Sequence, residues 1–354
     1  MNQIEIFNKA FPNAKSHAFS QPLVLETIEP MDFRDYRLYY CKAACFHVQR
    51  KSKAKAVENI EKALGMIGDI MAEVELPQPT ICKLYQLAAE IYADAGDIQS
   101  SENYYKKFYY ESYKSVCNFD YLESANVYTF RSLSKHALLD LINGEITVSH
   151  PSTMNDPFDS AAEFLSRPDN LKRICDRQEH VKTQSSMFRY FRIRSFVSGE
   201  PCLNMVNSTL MWSHYADYHK GICIGYSLSG RFTNCFEKSS DDYKFSLVLP
   251  VQYSDESRDI HKTLDTVNSF TQKRNCWEYE NEIRLVTFDT SNDKPHVGLP
   301  LDEDSFVKEI IFGYACPEKE IDTIKKLLES DKRITFSKMI TEDHDFTRLI
   351  KKPL

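Results

Sequence analysis

Residues 277–288 read WEYENEIRLVTF, an acidic and aromatic stretch that runs directly into an apolar one. The side chains of a β-strand alternate between its two faces. If the strand begins early, Glu280, Glu282 and Arg284 share one face, while Ile283 and Leu285 point into the core. Neighbouring carboxylates raise one another's pKa and are electrostatically costly. Because a fold does not need such a pair, the stretch indicates a chemical role.

A second interpretation treats the same charges as part of a solvated strand edge. Charged side chains on an edge strand prevent it from pairing with other strands. This interpretation explains the charge, but it explains poorly why Trp277 and Tyr279 alternate with the glutamates.

Size and composition describe an ordinary globular protein. The chain has 354 residues, of which 42% are hydrophobic and 27% are charged, and this length favours two domains. The formal net charge of -7 provides no overall basic field for nucleic acid. Residues 1–19 lack the order of a secretory signal, no apolar run is long enough to span a bilayer, and the ten cysteines form no CxxC pair. We therefore expect a cytoplasmic protein with no membrane partner and no metal.

Residues 1–118 are predicted to form a helical domain, because apolar side chains recur at helical spacing. The segment 87–97, LAAEIYADAGD, precedes a tyrosine-rich helix and resembles a tetratricopeptide unit, in which small residues lie where two helices cross. Two such hairpins are too few for a free-standing solenoid. The domain is then either a plain helical bundle or a groove for a protein partner. The predicted helices are 32–45, 54–71, 81–95 and 100–113.

Residues 119–354 are predicted to form an α+β domain, because several strand-like runs are interrupted by only a few helices. Helical patterns cover 134–142 and 318–329, and a helical insert within 155–196 has no assigned place. The strand-like runs are 127–130, 145–149, 191–197, 221–226, 246–253, 282–288 and 307–312.

Polar candidates follow the first two of these strands. Arg131 ends the first strand, and its rigid guanidinium fork suits phosphate or ribose oxygens. The alternative is that Arg131 pairs with a carboxylate. Ser149 ends the second strand, and Asn155 and Asp156 lie in the polar loop after it. Loops at strand ends often build binding sites, although Asn-Asp-Pro is also a common turn signature.

An aromatic segment follows at residues 210–221 and contains Trp212, His214 and Tyr215. Such side chains can form a platform for a nicotinamide or adenine ring. Packing of Trp212 in the core is the alternative. His214 and His219 do not share a helix face at the spacing that zinc ligands need, so the pattern does not favour a zinc site.

The opening stretch completes the set of candidates. Glu280 and Glu282 can act as a base and as an electrostatic stabiliser. Lys273, Tyr279 and Arg284 lie in the same segment and are expected to contribute to binding.

Taken in order, these motifs resemble the bacterial family known as domain of unknown function 2971. The resemblance rests on Arg131 after a tyrosine-containing strand, NDPFD at 155–159, WSHYA at 212–216 with a following glycine, and WEYENEIR at 277–284. It covers about residues 121–313 and leaves the N-terminal helices outside.

A weaker likeness connects the chain with ADP-ribosyltransferase-like folds, which are split, mixed and mainly antiparallel β-sheet domains with helices. Those proteins carry an arginine or histidine on an early strand, a serine or tyrosine on the next and a glutamate on a late one, and Arg131, Ser149 and Glu282 occur in that order here. The likeness implies NAD as substrate. It implies that Glu282 binds the ribose and stabilises an oxocarbenium-like transition state, and that Glu280 orients or deprotonates the acceptor. Trp212 or Tyr279 would stack on the nicotinamide.

Three functions follow from these patterns. The first is an ADP-ribosyltransferase or NAD glycohydrolase with a macromolecular acceptor, acting as a toxin or antiphage effector. The second is a nuclease in which acidic side chains hold Mg²⁺. The third is a non-catalytic binding or regulatory protein, in which Glu282, Arg284 and Arg131 form a structural group. The acidic side chains of the second function are Asp156, Asp159, Glu280 and Glu282, next to Lys273.

Overall fold

The computed structural model describes residues 36–49, 52–71, 78–116, 124–154, 179–198, 205–256, 267–343 and 345–354. The chain forms two compact units, Met1–Phe119 with Arg167–Phe188, and Asp120–Ser166 with Arg189–Leu354. One unit is helical and the other is built on a mainly antiparallel sheet, so the fold is α+β, as predicted. Within the described ranges, no helix combines the length and apolarity needed to cross a membrane.

The described helices of the helical unit pack in sequence order around a shared apolar core. The largest buried side chains of this unit include Tyr105, Tyr109 and Tyr113 of the fourth helix. The helices are α1 (Tyr36–Gln49), α2 (Lys53–Met71), α3 (Gln78–Ala95), α4 (Ile98–Val116) and α6 (Glu179–Ser186).

The turn between α3 and α4 explains the Gly-Asp pair in the sequence. Gly96 has a φ of +91°, a left-handed value that glycine adopts without steric cost, and it ends α3. The Asp97 carboxylate then accepts a hydrogen bond from the Ser100 N–H at 3.1 Å, which caps α4. The buried Ser101 hydroxyl donates to the Ala89 carbonyl at 2.7 Å and joins the two helices where small residues meet.

Helix α6 packs against α3 and α4 of the helical unit. The sequence-based division at residue 118 assigned this segment to the second domain, because it follows two strands along the chain. In the folded protein its contacts are instead with helices far earlier in the sequence.

The sheet unit places helices on both faces of one large sheet. Helices α5 (Lys135–Asn143) and α8 (Glu318–Leu327) contribute to one core cluster, and α7 (Met205–Tyr215) contributes to the other. The strands are β1 (Ser124–Arg131), β2 (Glu145–Ser149), β3 (Phe191–Ser198), β4 (Ile222–Ser229), β5 (Asn234–Ser239), β6 (Asp242–Pro250), β7 (Gln252–Tyr253), β8 (Gln272–Lys273), β9 (Glu282–Asp289), β10 (His296–Pro300), β11 (Phe306–Phe312), β12 (Thr335–Glu342) and β13 (Asp345–Pro353). Short 3-10 helices cover Pro151–Thr153, Met187–Tyr190, Val267–Phe270 and Asn275–Glu280.

The strand order in the large sheet is β13-β12-β11-β4-β1-β3-β9-β6-β5. Its neighbouring strands are antiparallel except for β11 and β12, which are parallel. The sheet is therefore mixed and mainly antiparallel, as predicted. Strands β7 and β8 form a separate two-stranded parallel sheet.

The sheet divides into two branches at β3. Strand β9 pairs with β3 over Phe191–Val197 and occupies one of its two edges. The other edge is shared, since β1 pairs with it only at Val197 and Ser198, and β2 pairs with it only at Ile193. We call the gap between β1 and β2, beside residues 194–196 of β3, the fork.

Strand β9 begins at Glu282, as the predicted run 282–288 does, and the earlier start considered for this stretch is wrong. Asn275–Glu280 is a 3-10 helix, and Asn281 follows it with a φ of +44°, so the strand begins only at Glu282. From Glu282 onward the predicted alternation is confirmed, because Ile283 and Leu285 lie in the α5-side core. Glu282 and Arg284 then face the other side of the sheet.

Gly221 lies where β1 ends and the neighbouring strand β4 begins. A Cβ at Gly221 would collide with the Arg131 carbonyl oxygen. We expect Gly221→Ala to lower the free energy of unfolding by about 1–3 kcal/mol, because backbone must shift to make room. Gly298→Ala is the matched control, since its Cβ would meet only the flexible carboxylate end of Glu145. Urea unfolding followed by tryptophan fluorescence measures both, because Trp212 and Trp277 both lie in the sheet unit. Equal losses in the two variants would contradict the steric argument.

Candidate active site

The fork opens into a cavity of about 270 Å³ in the sheet unit. Six of the side chains predicted from the sequence line this cavity, although they come from distant parts of the chain. They are Arg131, Ser149, Tyr215, Lys273, Glu280 and Glu282. Thr129, Met154, Arg194 and Ser195 also line it.

An acidic cluster forms one side of the cavity around Lys273. The Lys273 ammonium donates to Glu280 Oε2 at 2.5 Å and to Glu282 Oε2 at 3.2 Å. The Tyr215 hydroxyl donates to the other Glu280 oxygen at 2.5 Å. The two carboxylates therefore share one ammonium, although Glu280 lies on a 3-10 helix and Glu282 on a strand.

Arg284 does not line the cavity but binds Glu282, which does. Its guanidinium donates to Glu282 Oε1 at 2.7 Å and to Oε2 at 3.0 Å, and it also donates to the Phe270 carbonyl at 2.8 Å. Glu280 is 4% exposed, Glu282 5% and Arg284 0%. The interpretation of these charges as a solvated strand edge is wrong, because β9 lies inside the sheet between β3 and β6.

The aromatic residues of the opening stretch position its charged ones. The Lys273 ammonium lies 4.8 Å from the centre of the Trp277 ring, a cation–π distance. The Tyr279 hydroxyl lies 3.1 Å from His214 Nδ1, which ties the 3-10 helix to α7. Trp277 therefore contacts the cluster through Lys273, whereas Tyr279 anchors the 3-10 helix to α7.

The surroundings shift the two carboxyl groups in opposite directions. Burial raises the pKa of Glu280, and Lys273 and Tyr215 offset this only in part. Burial also acts to raise the pKa of Glu282, but the ion pair and hydrogen bonds with Arg284, assisted by Lys273 and Ser195, outweigh it and hold that pKa below its ordinary value. Paired carboxyl groups with opposite shifts are suited to one proton-transferring and one permanently ionised role.

The basic side of the cavity carries Arg131 and Arg194. Arg131 donates to Asp140 Oδ2 at 2.5 Å, and the Thr147 hydroxyl donates to the other Asp140 oxygen at 2.6 Å. The carboxylate pairing considered for Arg131 is thus present. Arg194 donates to the Thr129 hydroxyl at 3.2 Å.

Four predicted site residues do not line the cavity. Trp212 is fully buried and packs edge-on against Phe130, so it belongs to the core and does not form the predicted platform. His214 and Tyr279 contact each other outside the cavity, and Arg284 lies behind Glu282. The indole N–H of Trp212 is buried without a partner in the described part of the chain.

Two predicted residues, Asn155 and Asp156, lie outside the described residues, as does Asp159. Within the described ranges, no group of three or more His, Cys, Asp or Glu side chains is arranged to hold a metal ion.

The sequence motifs did not select two residues that line the cavity, Arg194 and Ser195. Both lie in the predicted strand over 191–197, and each contacts the cavity because β1 and β2 leave the middle of that edge uncovered. The only available signal was an arginine within an apolar strand, which does not distinguish a binding residue from a structural one. Arg192, two residues earlier, is structural, because it donates to the carbonyls of Lys294 and Arg189.

A family model described as protein of unknown function (DUF2971) matches residues 211–285. Residues 211–285 are thus similar to this family, and we call them the DUF2971 segment. The resemblance stated from the sequence motifs is confirmed over this segment, which is shorter than the 121–313 expected. The DUF2971 segment contains Tyr215, Lys273, Glu280 and Glu282, and hence the acidic side of the cavity. No curated protein and no solved structure matches the chain significantly.

Arg284→Met should destabilise the sheet unit by about 3–5 kcal/mol, because it leaves a buried carboxylate with one of its two cations removed. Lys244→Met is the matched control. Lys244 pairs with Asp289 of the same strand β9, but that pair is largely exposed, so its loss should cost about 1 kcal/mol or less. Urea unfolding followed by tryptophan fluorescence gives both values. A loss in Arg284→Met no larger than that in the control would contradict the network's structural role.

The lowered pKa of Glu282 predicts how its contribution to stability changes with pH. A carboxyl group with a folded-state pKa below its ordinary value of 4.5 contributes stability that is complete above pH 4.5 and is lost as the pH falls through the folded-state pKa. The difference in unfolding free energy between wild type and Glu282→Gln should therefore be largest above pH 4.5 and shrink below it. Chemical denaturation across this range measures the difference. A difference that grows toward acid would show that the shift has the opposite sign.

Proposed function

We propose that this protein binds NAD in the fork and cleaves the bond between nicotinamide and ribose. The supporting observation is that Arg131, Ser149, Glu280 and Glu282, from three distant segments, line one cavity. The same residues are those that the likeness to ADP-ribosyltransferase-like folds selects, and convergence on one cavity is the geometric requirement for a shared site.

The two carboxyl groups have different roles in the proposed reaction. In the proposed reaction the C1′–N bond of NAD breaks, and nicotinamide leaves with the bonding electron pair. The ribose carbon develops positive charge, which the ionised Glu282 stabilises across a site of low polarity. A hydroxyl group of a macromolecular acceptor, or water, forms the new bond to C1′ and gives its proton to Glu280, whose raised pKa suits a base.

The helical unit is proposed to dock a protein partner, which would direct the activity of the sheet unit. Small residues meet around Ala89 and Ser101, as in a tetratricopeptide unit, and a groove for a peptide remains our expectation for this unit. Together the two units suit a cytoplasmic effector of the toxin or antiphage type.

A non-catalytic binding protein is the second candidate. It is favoured by one specific observation, that Arg284 and Lys273 together engage both oxygens of Glu282. Such a carboxylate can be wholly structural. The nuclease alternative depends on Asp156 and Asp159, which lie outside the described residues.

The direct test is release of nicotinamide from NAD by the purified protein. Glu280→Gln should lower kcat by roughly 10²–10⁴-fold, because the base is lost while the side chain keeps its size. Tyr215→Phe, which removes only one hydrogen bond to Glu280, should cause a smaller loss. Glu278→Gln is the matched control, because Glu278 is an exposed carboxyl group in the same 3-10 helix.

Melting temperatures separate catalysis from folding. A folded Glu280→Gln variant with unchanged turnover would remove Glu280 from the mechanism. Absence of NAD turnover in the wild type, with and without a cell extract as source of acceptors, would favour the binding protein.

A further inference from the structure

We propose that Arg194 is the receptor for a phosphoryl group of the ligand that enters the fork, and specifically for the diphosphate of a dinucleotide. The naming of a dinucleotide rests on the proposed function, whereas the anion site itself does not require any cleavage. Nothing in the sequence motifs assigned Arg194 a role.

The position of Arg194 in the sheet directs it to the cavity. It lies in the middle of the shared edge of β3, between Ile193, which pairs with β2, and Val197, which pairs with β1. Among the described residues, no strand pairs with β3 at that point, and the Arg194 side chain lines the cavity together with Arg131. A ligand in the fork therefore meets this guanidinium directly.

The guanidinium of Arg194 has unused hydrogen-bonding capacity. Its Nη2 donates to the neutral Thr129 hydroxyl, and its Nε is buried without a partner in the described part of the chain. Arg192 and Arg284 differ in this respect, since their guanidinium groups are bound by carbonyl or carboxylate oxygens. An unpaired polar atom at such a position is costly, and an anionic oxygen would satisfy it.

The charges around Arg194 favour an anion as the missing partner. Arg131 lines the same cavity but is already balanced by Asp140. Among the described residues, no carboxylate forms an ion pair with Arg194, and Asp140, which pairs with Arg131, acts on Arg194 only from a distance. Burial, and next the neighbouring charge of Arg131, lower the pKa of Arg194 to about 10, which still leaves it charged at neutral pH.

The fork separates this basic side from the acidic one. Phe196 and Val127 lie in the α5-side core, so strand alternation puts Arg194, Thr129 and Arg131 on that face. Glu282 and Ser195 lie on the opposite face, with Lys273. A phosphoryl group can therefore bind Arg194 without approaching the two carboxylates.

This arrangement orders the parts of a dinucleotide. The nicotinamide ribose is attached directly to the diphosphate, so a diphosphate held at Arg194 presents that ribose to the acidic cluster through the fork. A planar guanidinium matches two phosphate oxygens at once, which a point charge does not. Arg194 thus acts in binding and orientation, and the acidic cluster in the reaction.

Titration calorimetry with ADP-ribose, ADP and adenosine tests the anion site without any turnover. The wild type should bind ADP-ribose and ADP, and it should bind adenosine about 10- to 100-fold more weakly. Arg194→Met should lose about 10- to 100-fold in affinity for the two diphosphates and leave the weak adenosine binding unchanged. Arg194→Lys, which keeps the charge without the fork, should fall between. Arg231→Met removes an exposed arginine of the same unit and is the control for overall charge.

The outcomes separate this inference from the proposed function. Diphosphate binding that depends on Arg194, without NAD cleavage, supports the anion site and removes the enzymatic proposal. NAD cleavage with an unchanged KM in Arg194→Met overturns the anion site alone. Adenosine binding as tight as ADP binding, or no binding of any of the three, also overturns it.

A crystal structure of the wild type with ADP-ribose provides a test that does not depend on the folding of any variant. We expect a phosphoryl oxygen within about 3.2 Å of Arg194 Nε. A bound ligand with its diphosphate elsewhere, or an empty fork at saturating ADP-ribose, would contradict the assignment.

Discussion

The sheet unit depends on which strands pair with the two edges of β3. Strand β9 takes one edge completely, and β1 and β2 each take one end of the other. The middle of that edge is left for a cavity, which is why side chains from both faces of the sheet reach one space. If β1 paired with β3 along its full length, Arg194 and Glu282 would be separated by a closed sheet.

The charged side chains that are buried at the fork must also be paired with opposite charges. Isolated carboxylates at this depth would lose far more hydration free energy than a small site can replace. Lys273 and Arg284 provide one cation for each of Glu280 and Glu282, and Trp277 and Tyr215 complete the contacts. The basic side of the cavity is balanced less completely, since among the described residues Asp140 forms an ion pair with Arg131 and no carboxylate forms one with Arg194. This difference distinguishes the acidic side of the cavity from its basic side.

The sequence predicted local features well and the fork poorly. Strand alternation located Ile283 and Leu285 in the core, and the α+β class followed from runs of strands. The start of the run 282–288 was predicted correctly, but the 3-10 helix before it was not, and that helix ends at Asn281 with a φ of +44°. Strands β5, β10, β12 and β13 were missed, and none of the side chains of β5 and β10 is fully buried. Trp212 could not be separated from a ligand platform, because an aromatic ring in a core and one in a site have the same local spacing.

Because two carboxylates share Lys273, the number of protons that the cluster binds affects its net charge. With Glu280 and Glu282 both ionised, the cluster of these two with Lys273 and Arg284 is electrically neutral. A single proton taken up by Glu280 makes it a net cation, while Glu282 stays anchored by its two-pronged contact with Arg284. The fork can thus exist in two charge states with nearly the same geometry. Any ligand that prefers one of them must exchange a proton with the solvent as it binds, in proportion to that preference.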